Sequence, residues 1–422
     1  MVERVTPQEP DTRVRRLRRT VLLVALAATA VKLYLAATTW GGNDIYTFGA
    51  FAQAVRDHGV YGVYGLRSIG KHPVYNHPPL VGWLLLLLSH LHTIGISFPF
   101  LIRAPASLAD IATTMLVFEI VRHRRPLAEA GVAGVLLGCS PALIVISGFH
   151  GNTDPVFVMF AVLSLYLLVI KPSGVLAGVS FGAAISMKLI PIVAGPVLLL
   201  IAARAGRRRL YEFLGGSGVF LAILWLPAVI GYWRQFSKNV LGYKGVPGKW
   251  GIIEFTTNNL HWSKHALDAL EGPGRWPLLL ISAGLPLFVA WRRPAASVPA
   301  FGMTLCLVLL LSTASSGGRY LVWAVAAAFL VDVPTGALYD IGASAVLVIV
   351  YNRWNGGFPW DRARGSAWTH FETALAGLTW LALLAVVIRG VMNLRTRAPD
   401  ISPPDEHDAP EAPDAPDLSP AV

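Results

Sequence analysis

Charged residues are scarce in this chain. They make up 14% of its 422 residues, against roughly 25% in an ordinary soluble domain. The polar stretches between the apolar runs are also short: the longest, 39–78 and 231–275, hold about 40 to 45 residues, fewer than the roughly 50 of a small independent domain. A soluble enzyme is therefore excluded, and any chemistry must be assembled on a membrane-embedded body.

Several functional signatures are missing as well. The sequence has no G-x-x-x-x-G-K-[ST] phosphate loop and no H-E-x-x-H metal motif. The two cysteines, Cys139 and Cys306, lie within apolar runs, so neither a disulfide framework nor a thiolate metal site is indicated. The 11 histidines show no ligand spacing. We therefore expect no metal and no cofactor, and nothing indicates a nucleic-acid partner.

The positive charge is unevenly distributed. The formal net charge is +11, yet residues 398–422 contain seven acids and no Lys or Arg, which leaves +18 for the remaining chain. A basic membrane protein suggests contact with anionic lipid headgroups or phosphate-bearing substrates, although basic cytoplasmic loops alone produce much of this charge. The tail at 398–422 is rich in Pro, Asp, Ala and Glu, which predicts a disordered cytoplasmic segment.

Long apolar runs dominate the rest of the sequence. The basic residues of segment 1–20 predict a cytoplasmic N-terminus, and the positive-inside rule then gives a transmembrane body over 21–391. The fold class that we predict is an all-α polytopic membrane protein with about twelve transmembrane helices. The expected spans lie near residues 21–37, 98–121, 127–147, 154–170, 173–187, 190–203, 211–230, 276–291, 297–314, 319–333, 338–351 and 371–391.

Two segments decide this count. The run at 80–91 covers only about 18 Å as a helix, short of the roughly 30 Å hydrocarbon core, so we expect an interfacial helix in the first outer loop. That choice delivers the basic cluster at 122–125 to the cytoplasm. The stretch 174–203 could form one long helix, but Lys188 and Pro191 in its middle favour two short ones.

With this topology, polar residues cluster on the outer face. The loop at 39–78 opens with Asn43 and Asp44 and closes with Lys71 and His77. An acid near the end of a span, flanked by glycines that permit close approach, suits a general base at the membrane surface. The alternative is that Asp44 caps a helix beginning near Ile45.

Two further clusters lie at outer junctions between spans. The first contains His150, Asn152 and Asp154, where Asp154 followed by proline is typical of a helix start, with the aspartate as its cap. The second is the segment 315–323, which offers Arg319 and Tyr320 at the start of a span. Arginine suits phosphate because its planar guanidinium bonds two oxygens at once.

Asp44, together with four segments in the same order, resembles the GT-C integral-membrane glycosyltransferases, and in particular the lumenal enzymes that use dolichyl-phosphate-glucose and their bacterial relatives that use polyprenyl-phosphate sugars. The segments are 75–80 (YNHPPL), 101–110 (LIRAPASLAD), 149–152 (FHGN) and 186–191 (SMKLIP). The resemblance covers roughly residues 21–200, and beyond them only 319–323 (RYLVW).

This resemblance implies an inverting transferase that moves a sugar from a polyprenyl-phosphate donor to an acceptor hydroxyl at the extracytoplasmic face. Asp44 corresponds to the family's catalytic base. Many members have a second acid beside it where this chain has Asn43, which argues against a metal bridged by two carboxylates. The candidates for substrate binding, several of them cations for the donor phosphate, are Asn43, Arg67, Lys71, His77, Arg103, His150, Asn152, Asp154, Lys188, Arg319 and Tyr320.

A multi-pass transporter or flippase of lipid-linked sugars is the alternative function. Its pathway residues would be Lys188, Asp110 and Asp332, because ionisable residues inside the membrane are costly and usually functional. A transporter is expected to contain two related halves, yet residues 211–391 hold no second copy of the Asp44 or HPP pattern. The composition suggests a bacterial source, hence the inner membrane, with an envelope glycan or glycolipid as acceptor.

Overall fold

The computed structural model describes residues 11–70, 74–243, 250–251, 263–311 and 318–392. Within these residues the chain is helical and contains no β-strand, and an isolated bridge joins Gly41 and Arg362. The predicted all-α polytopic class is confirmed. Residues 1–10 of the basic N-terminal segment, Lys71 and the acidic tail at 398–422 lie outside the described residues.

Helices follow the apolar runs closely, because a chain in lipid must satisfy its backbone hydrogen bonds internally. In the described part of the chain, the α-helices of eight residues or more are Asp11–Thr38, Asp44–Gly62, Pro79–Thr93, Phe98–Arg122, Leu127–Gly138, Asp154–Val169, Gly174–Met187, Gly195–Arg204, Arg207–Phe236, Lys264–Glu271, Arg275–Arg292, Ser297–Leu310, Val322–Val331, Val333–Asn355 and His370–Met392.

Among the residues that the structure describes, six helical segments are long and apolar enough to cross a membrane: Thr12–Thr38, Phe98–Arg122, Leu127–His150, Arg207–Leu241, Val333–Asn355 and His370–Met392. Six shorter apolar helices, of 10 to 17 residues, accompany them. Large apolar side chains such as Leu23, Ile230 and Leu280 are exposed on the outside of the bundle, as expected for a protein surrounded by lipid. The chain is an integral membrane protein, and the count of twelve spans stays a prediction.

The two doubtful segments both form helices. The run at 80–91 becomes the helix Pro79–Thr93, and its interfacial position stays a prediction. The stretch 174–203 is divided as expected: the helix Gly174–Met187 ends at Lys188, whose backbone is extended with φ −158° and ψ 143°. A 3₁₀ turn at Ile190–Ala194 then leads into Gly195–Arg204.

A buried ion pair crosses the middle of the bundle. The Lys32 ammonium lies 2.6 Å from the Asp110 carboxylate, and both side chains are almost completely buried. Gly148 packs directly on Lys32, where an added Cβ would lie 2.7 Å from the Lys32 Cα. This contact positions the π-helix Ile144–His150, so the pair supports the backbone that presents His150.

The loop before the last helix stabilises the segment between the first two helices. The Gly41 N–H donates to the carbonyl of Asp361 at 2.8 Å, and the Ala363 N–H donates to the Gly41 carbonyl at 3.0 Å. The loop is anchored in turn by Arg353, whose guanidinium forms a bidentate pair with Glu372 at 2.7 and 2.8 Å. The segment before Asp44 is therefore fixed by residues more than 300 positions away in the sequence.

Candidate active site

A cavity of about 360 Å³ opens beside the N-terminal end of the helix Asp44–Gly62. Its volume is within the usual range for small-molecule sites. Six segments that are distant in the sequence contribute its walls, and the polar side chains that line it include Asp44, Thr47, Asn76, His77, Asn152, Thr153, Asp154, Lys188, Tyr243, Arg319 and Tyr320.

Asp44 is held by two partners, one on each carboxylate oxygen. Oδ1 lies 3.2 Å from Nη1 of Arg319, and Oδ2 lies 3.1 Å from Nε2 of His150. The Asp44 side chain is one-quarter exposed, toward the cavity. The alternative that Asp44 caps its helix is wrong, because Asn43 occupies the cap position and no side chain caps that helix.

His150 is fixed from its other side by Tyr351. The Tyr351 hydroxyl lies 2.6 Å from Nδ1, and both residues are buried. A carboxylate only accepts hydrogen bonds, so Nε2 of His150 carries the hydrogen that faces Asp44. In the tautomer with that single N–H, Nδ1 is an acceptor, and the tyrosine hydroxyl donates to it. The chain Tyr351, His150, Asp44 therefore sets both the tautomer and the direction of the imidazole.

Glycines before Asp44 make this approach possible. The Gly42 N–H donates to the carbonyl of His150 at 3.2 Å. A Cβ added at Gly42 would lie 2.5 Å from Nδ1 of His150. Gly41 has φ +94°, a conformation that favours glycine. The flanking glycines thus allow the two backbones to meet, which places the imidazole against the carboxylate.

A second ion pair lines the opposite wall. The Lys188 ammonium lies 2.6 Å from Oδ1 of Asp154 and 4.6 and 4.5 Å from the ring centres of Tyr320 and Trp323. Oδ2 of Asp154 accepts from Nε1 of Trp323 at 2.7 Å and from Nδ2 of Asn152 at 3.0 Å. The Lys188 ammonium therefore faces the cavity beside two aromatic rings. Its partner, the Asp154 carboxylate, is fixed in turn by two hydrogen-bond donors.

The prediction that Asp154 caps a helix is wrong. Asp154 is the first residue of Asp154–Val169, the cap position belongs to Thr153, and no side chain caps that helix. The Asp-Pro pattern located the helix start correctly, but Lys188, Trp323 and Asn152 provide the carboxylate with stronger partners. Asp154 is 3% exposed, so leaving it without these partners would be costly.

The surroundings of the cavity shift the pKa values of two residues that line it, Asp44 and His77. Burial by itself raises the pKa of the Asp44 carboxyl, but the positive charge of Arg319, aided by the His150 contact, outweighs it and holds that pKa well below its usual range. For His77 burial acts in the opposite sense, and with the charge of Lys188 it lowers the pKa to about 4. Asp44 is therefore ionised and His77 neutral at neutral pH.

Arg103 does not reach the cavity, so its proposed role in phosphate binding needs correction. Its side chain is fully buried, and the guanidinium donates to the Thr39 carbonyl at 2.6 Å, the Thr39 hydroxyl at 2.9 Å and the carbonyls of Gly148 and Phe149, both at 3.2 Å. These bonds join the end of the first helix to the π-helix Ile144–His150. Arg103 positions Asp44 and His150, and no substrate atom can approach it.

Three other candidates also fall outside the cavity or the described chain. Asn43 and Arg67 are exposed and do not line the cavity. Lys71 lies outside the described residues, as do Ser315 to Gly317 of the third cluster. The structure brings together Asp44, His77, His150, Asn152, Asp154, Lys188, Arg319 and Tyr320.

Sequence reasoning missed several residues of the site. Tyr351, Trp323, Tyr243 and Asn76 all contact site residues or line the cavity. Asn76 and Trp323 stand in the 75–80 and 319–323 segments, which offered a signal. Tyr351 lies inside a long apolar helix, where only the pairing with His150 distinguishes it. In the described part of the chain, no group of three or more His, Cys, Asp and Glu side chains is placed to hold a metal ion.

Comparison with known proteins gives one family. Residues 76–233 match the family model of dolichyl-phosphate-mannose-protein mannosyltransferases. This range includes His77, Arg103, His150, Asp154 and Lys188, and ends before Arg319. The match confirms the resemblance to GT-C membrane glycosyltransferases that the sequence motifs indicated.

A solved structure of another protein is similar over most of the chain. The crystal structure of ArnT from Cupriavidus metallidurans bound to undecaprenyl phosphate has a TM-score of 0.49 and 14% sequence identity, covering 89% of this chain and 77% of that chain. No curated protein matches the sequence.

Proposed function

We propose that this protein is an inverting GT-C glycosyltransferase that moves a sugar from a polyprenyl-phosphate donor to an acceptor hydroxyl at the extracytoplasmic face of the membrane. The observation that carries the proposal is the arrangement of Asp44. Its carboxylate faces a cavity, is fixed by Arg319 and His150, and shares that cavity with the Lys188 ammonium. A base and two cations around one small volume suit transfer from a phosphate leaving group.

The proposed reaction displaces phosphate at the anomeric carbon. The acceptor hydroxyl gives its proton to Asp44 while its oxygen attacks the carbon from the side opposite the phosphate. The bond between the carbon and the phosphate oxygen breaks, and its electron pair stays on that oxygen. The configuration at the carbon is inverted, and the products are the glycosylated acceptor and polyprenyl phosphate.

Arg319 and Lys188 would stabilise the charge that develops on the leaving phosphate. Their side chains are about one-quarter exposed and face the cavity. Both pair with carboxylates here, so a donor phosphate would have to share or replace those partners. When the phosphate draws the Arg319 charge away from Asp44, the pKa of that carboxyl rises, because its largest stabilising cation is weakened. Donor binding would thus make Asp44 a better base.

The cavity also suits an amphipathic donor. Phe48, Phe51, Leu189, Ile190 and Val240 line it beside the polar residues, so a sugar phosphate and the first part of a prenyl chain could bind together. The polyprenyl phosphate lipid and the bilayer are the partners that this chemistry requires. A glycan or glycolipid of a bacterial envelope is the acceptor that we propose, with the protein in the inner membrane.

The residues suggested for a transport pathway do not meet in the structure. Asp110 is buried against Lys32. Lys188 pairs with Asp154 in the cavity. Asp332 accepts from the Thr335 N–H and hydroxyl at the start of Val333–Asn355. Because these residues lie in three separate places, they do not form one pathway, and no observation favours the transporter.

The test has two stages. Lipid-linked sugars that accumulate in depleted cells are first identified by mass spectrometry, and the purified protein is then assayed with that lipid. Asp44→Asn keeps the shape of the side chain but removes its basicity, so turnover should fall about 10² to 10⁴-fold. Asp57→Asn, an exposed acid later in the same helix, is the control and should leave turnover unchanged. Unaltered turnover in Asp44→Asn would refute the assignment.

A further inference from the structure

A second cavity lies at the other end of the bundle. It has a volume of about 340 Å³ and is lined by three arginines, Arg124, Arg125 and Arg293, with Ile120, Val298 and Leu330 among its apolar walls. We call it the arginine cavity. Its arginines come from two connections, one after the helix Phe98–Arg122 and one after Arg275–Arg292.

The arginine cavity is separate from the candidate active site. Both are linked to the helix Phe98–Arg122, whose Arg103 binds the backbone beside Asp44. At 1.5 Å per residue, this helix places Arg122 about 28 Å from Arg103. That distance is close to the thickness of the hydrocarbon core, about 30 Å. A ligand in the arginine cavity therefore belongs to the opposite membrane surface.

Polar contacts hold Arg124 and Arg125 in place. The Arg124 guanidinium donates to the carbonyl of Ala295. The Arg125 guanidinium donates to the Val331 carbonyl at 3.2 Å and to Glu129 at 3.2 Å. Asp332 lies 3.7 Å from Arg125. These bonds hold positively charged groups around the cavity in fixed positions.

Positive charge is in excess among the described residues around this cavity. Among the described residues, Asp332 also lies 3.7 Å from Arg389, so Asp332 and Glu129 are paired with Arg125 and Arg389, and Arg124, which bonds the Ala295 carbonyl, adds a further positive charge. Planar guanidinium groups bind phosphate oxygens well because they offer several N–H donors in a fixed geometry. An anion that carries phosphate is the ligand that this charge favours.

We propose that the arginine cavity binds the phosphate headgroup of an anionic phospholipid. A lipid fits better than a free anion because the walls are apolar and the cavity lies at the ends of membrane-embedded helices. Basic pockets between such helices are known sites for anionic headgroups on the cytoplasmic side. The positive-inside rule places residues 122–125 and 292–293 on that side. The site would tie the bundle to the leaflet opposite the active site.

Native mass spectrometry of the full chain in neutral detergent tests this proposal. The protein is titrated with phosphatidylglycerol and, separately, with phosphatidylcholine. We expect phosphatidylglycerol to bind more tightly, and Arg124→Gln combined with Arg293→Gln to weaken it about 25-fold, since one basic residue contributes about fivefold. The control combines Arg207→Gln with Arg208→Gln, two exposed arginines outside the cavity, and should retain the parent affinity.

Three results would overturn the proposal. Equal affinity of the parent protein for the two lipids would remove the headgroup preference. An equal loss in the cavity variant and the control would show a general charge effect, and complete displacement of the lipid by excess inorganic phosphate would show a site for free anions. If the double variant does not fold, Arg124→Gln alone is measured, because Arg124 is exposed, and a loss of about fivefold is expected.

Discussion

Arg319 lies 3.2 Å from the carboxylate of Asp44 although the two residues are 275 positions apart in the sequence. The pair joins the residue proposed as the base to a cation proposed for the leaving phosphate. Each therefore influences the other before any substrate is bound. Asp44 remains ionised because Arg319 compensates for burial, and Arg319 keeps its direction because Asp44 and Tyr320 hold it.

Arg319→Gln should change the pH dependence of turnover. Burial raises the pKa of Asp44 and Arg319 lowers it, so removal of the arginine lets the pKa rise. A base works only when ionised, so activity is lost as the pH falls through this pKa. The acid limb of the profile of kcat/KM, which reports the free enzyme, should move to higher pH in the variant.

Arg362→Gln is the matched control for this pH shift. Arg362 is exposed in the loop that braces Gly41 and stacks on Tyr46, with its guanidinium carbon 4.8 Å from the ring centre. The substitution removes a cation from the same end of the bundle without touching Asp44. The acid limb should stay where it is in the parent enzyme. An acid limb that stays in place in Arg319→Gln as well would contradict the electrostatic link.

The helices were predictable to a large extent, whereas the contacts of the site were predictable only in part. Apolar runs must form helices because lipid offers no partner for the backbone. Lys188 and Pro191 marked a real break, because a charged side chain in the middle of the bilayer is costly and a proline interrupts the helical hydrogen bonds. The proximity of Asp44, Asp154 and Lys188 followed from topology, since all were expected on one face. Arg103 could not be excluded from that group by sequence, because its burial depends on how the first helix ends.

Asp154→Asn should destabilise the protein strongly. The amide keeps one oxygen but turns an N–H donor toward Lys188, Trp323 or Asn152, each of which is also a donor. Breaking a buried charge pair costs about 3 to 5 kcal/mol, and partial exposure of Lys188 reduces this to roughly 2 to 3 kcal/mol. Thermal unfolding in detergent measures the change. A midpoint equal to that of Asp57→Asn, whose acid is exposed, would contradict the network.

Gly42→Ala should impair catalysis by moving His150. The new Cβ would lie 2.5 Å from Nδ1 and 2.8 Å from the carbonyl oxygen of His150, so ring or backbone must shift. Misplacement by about 1 Å can cost 10²-fold in rate, and turnover should fall by roughly that factor. Gly49→Ala, in the helix that follows, is the control because its Cβ would make an ordinary contact of 3.6 Å with Phe98. Parent turnover in Gly42→Ala would show that this close approach does not matter.

Tyr351→Phe tests whether the tyrosine directs the imidazole of His150. Without its hydroxyl, Nδ1 loses a donor and the ring can adopt the tautomer in which Nε2 opposes the Asp44 carboxylate with a lone pair. One hydrogen bond is worth about 0.5 to 1.5 kcal/mol, which corresponds to a fall in kcat of roughly 2 to 10-fold. Tyr339→Phe, from the same helix, removes an equally buried hydroxyl that donates to the Leu321 carbonyl at 2.7 Å. Both variants should unfold at similar temperatures, but only Tyr351→Phe should turn over more slowly. If the two lose activity equally, Tyr351 serves the stability of the helix and does not direct His150.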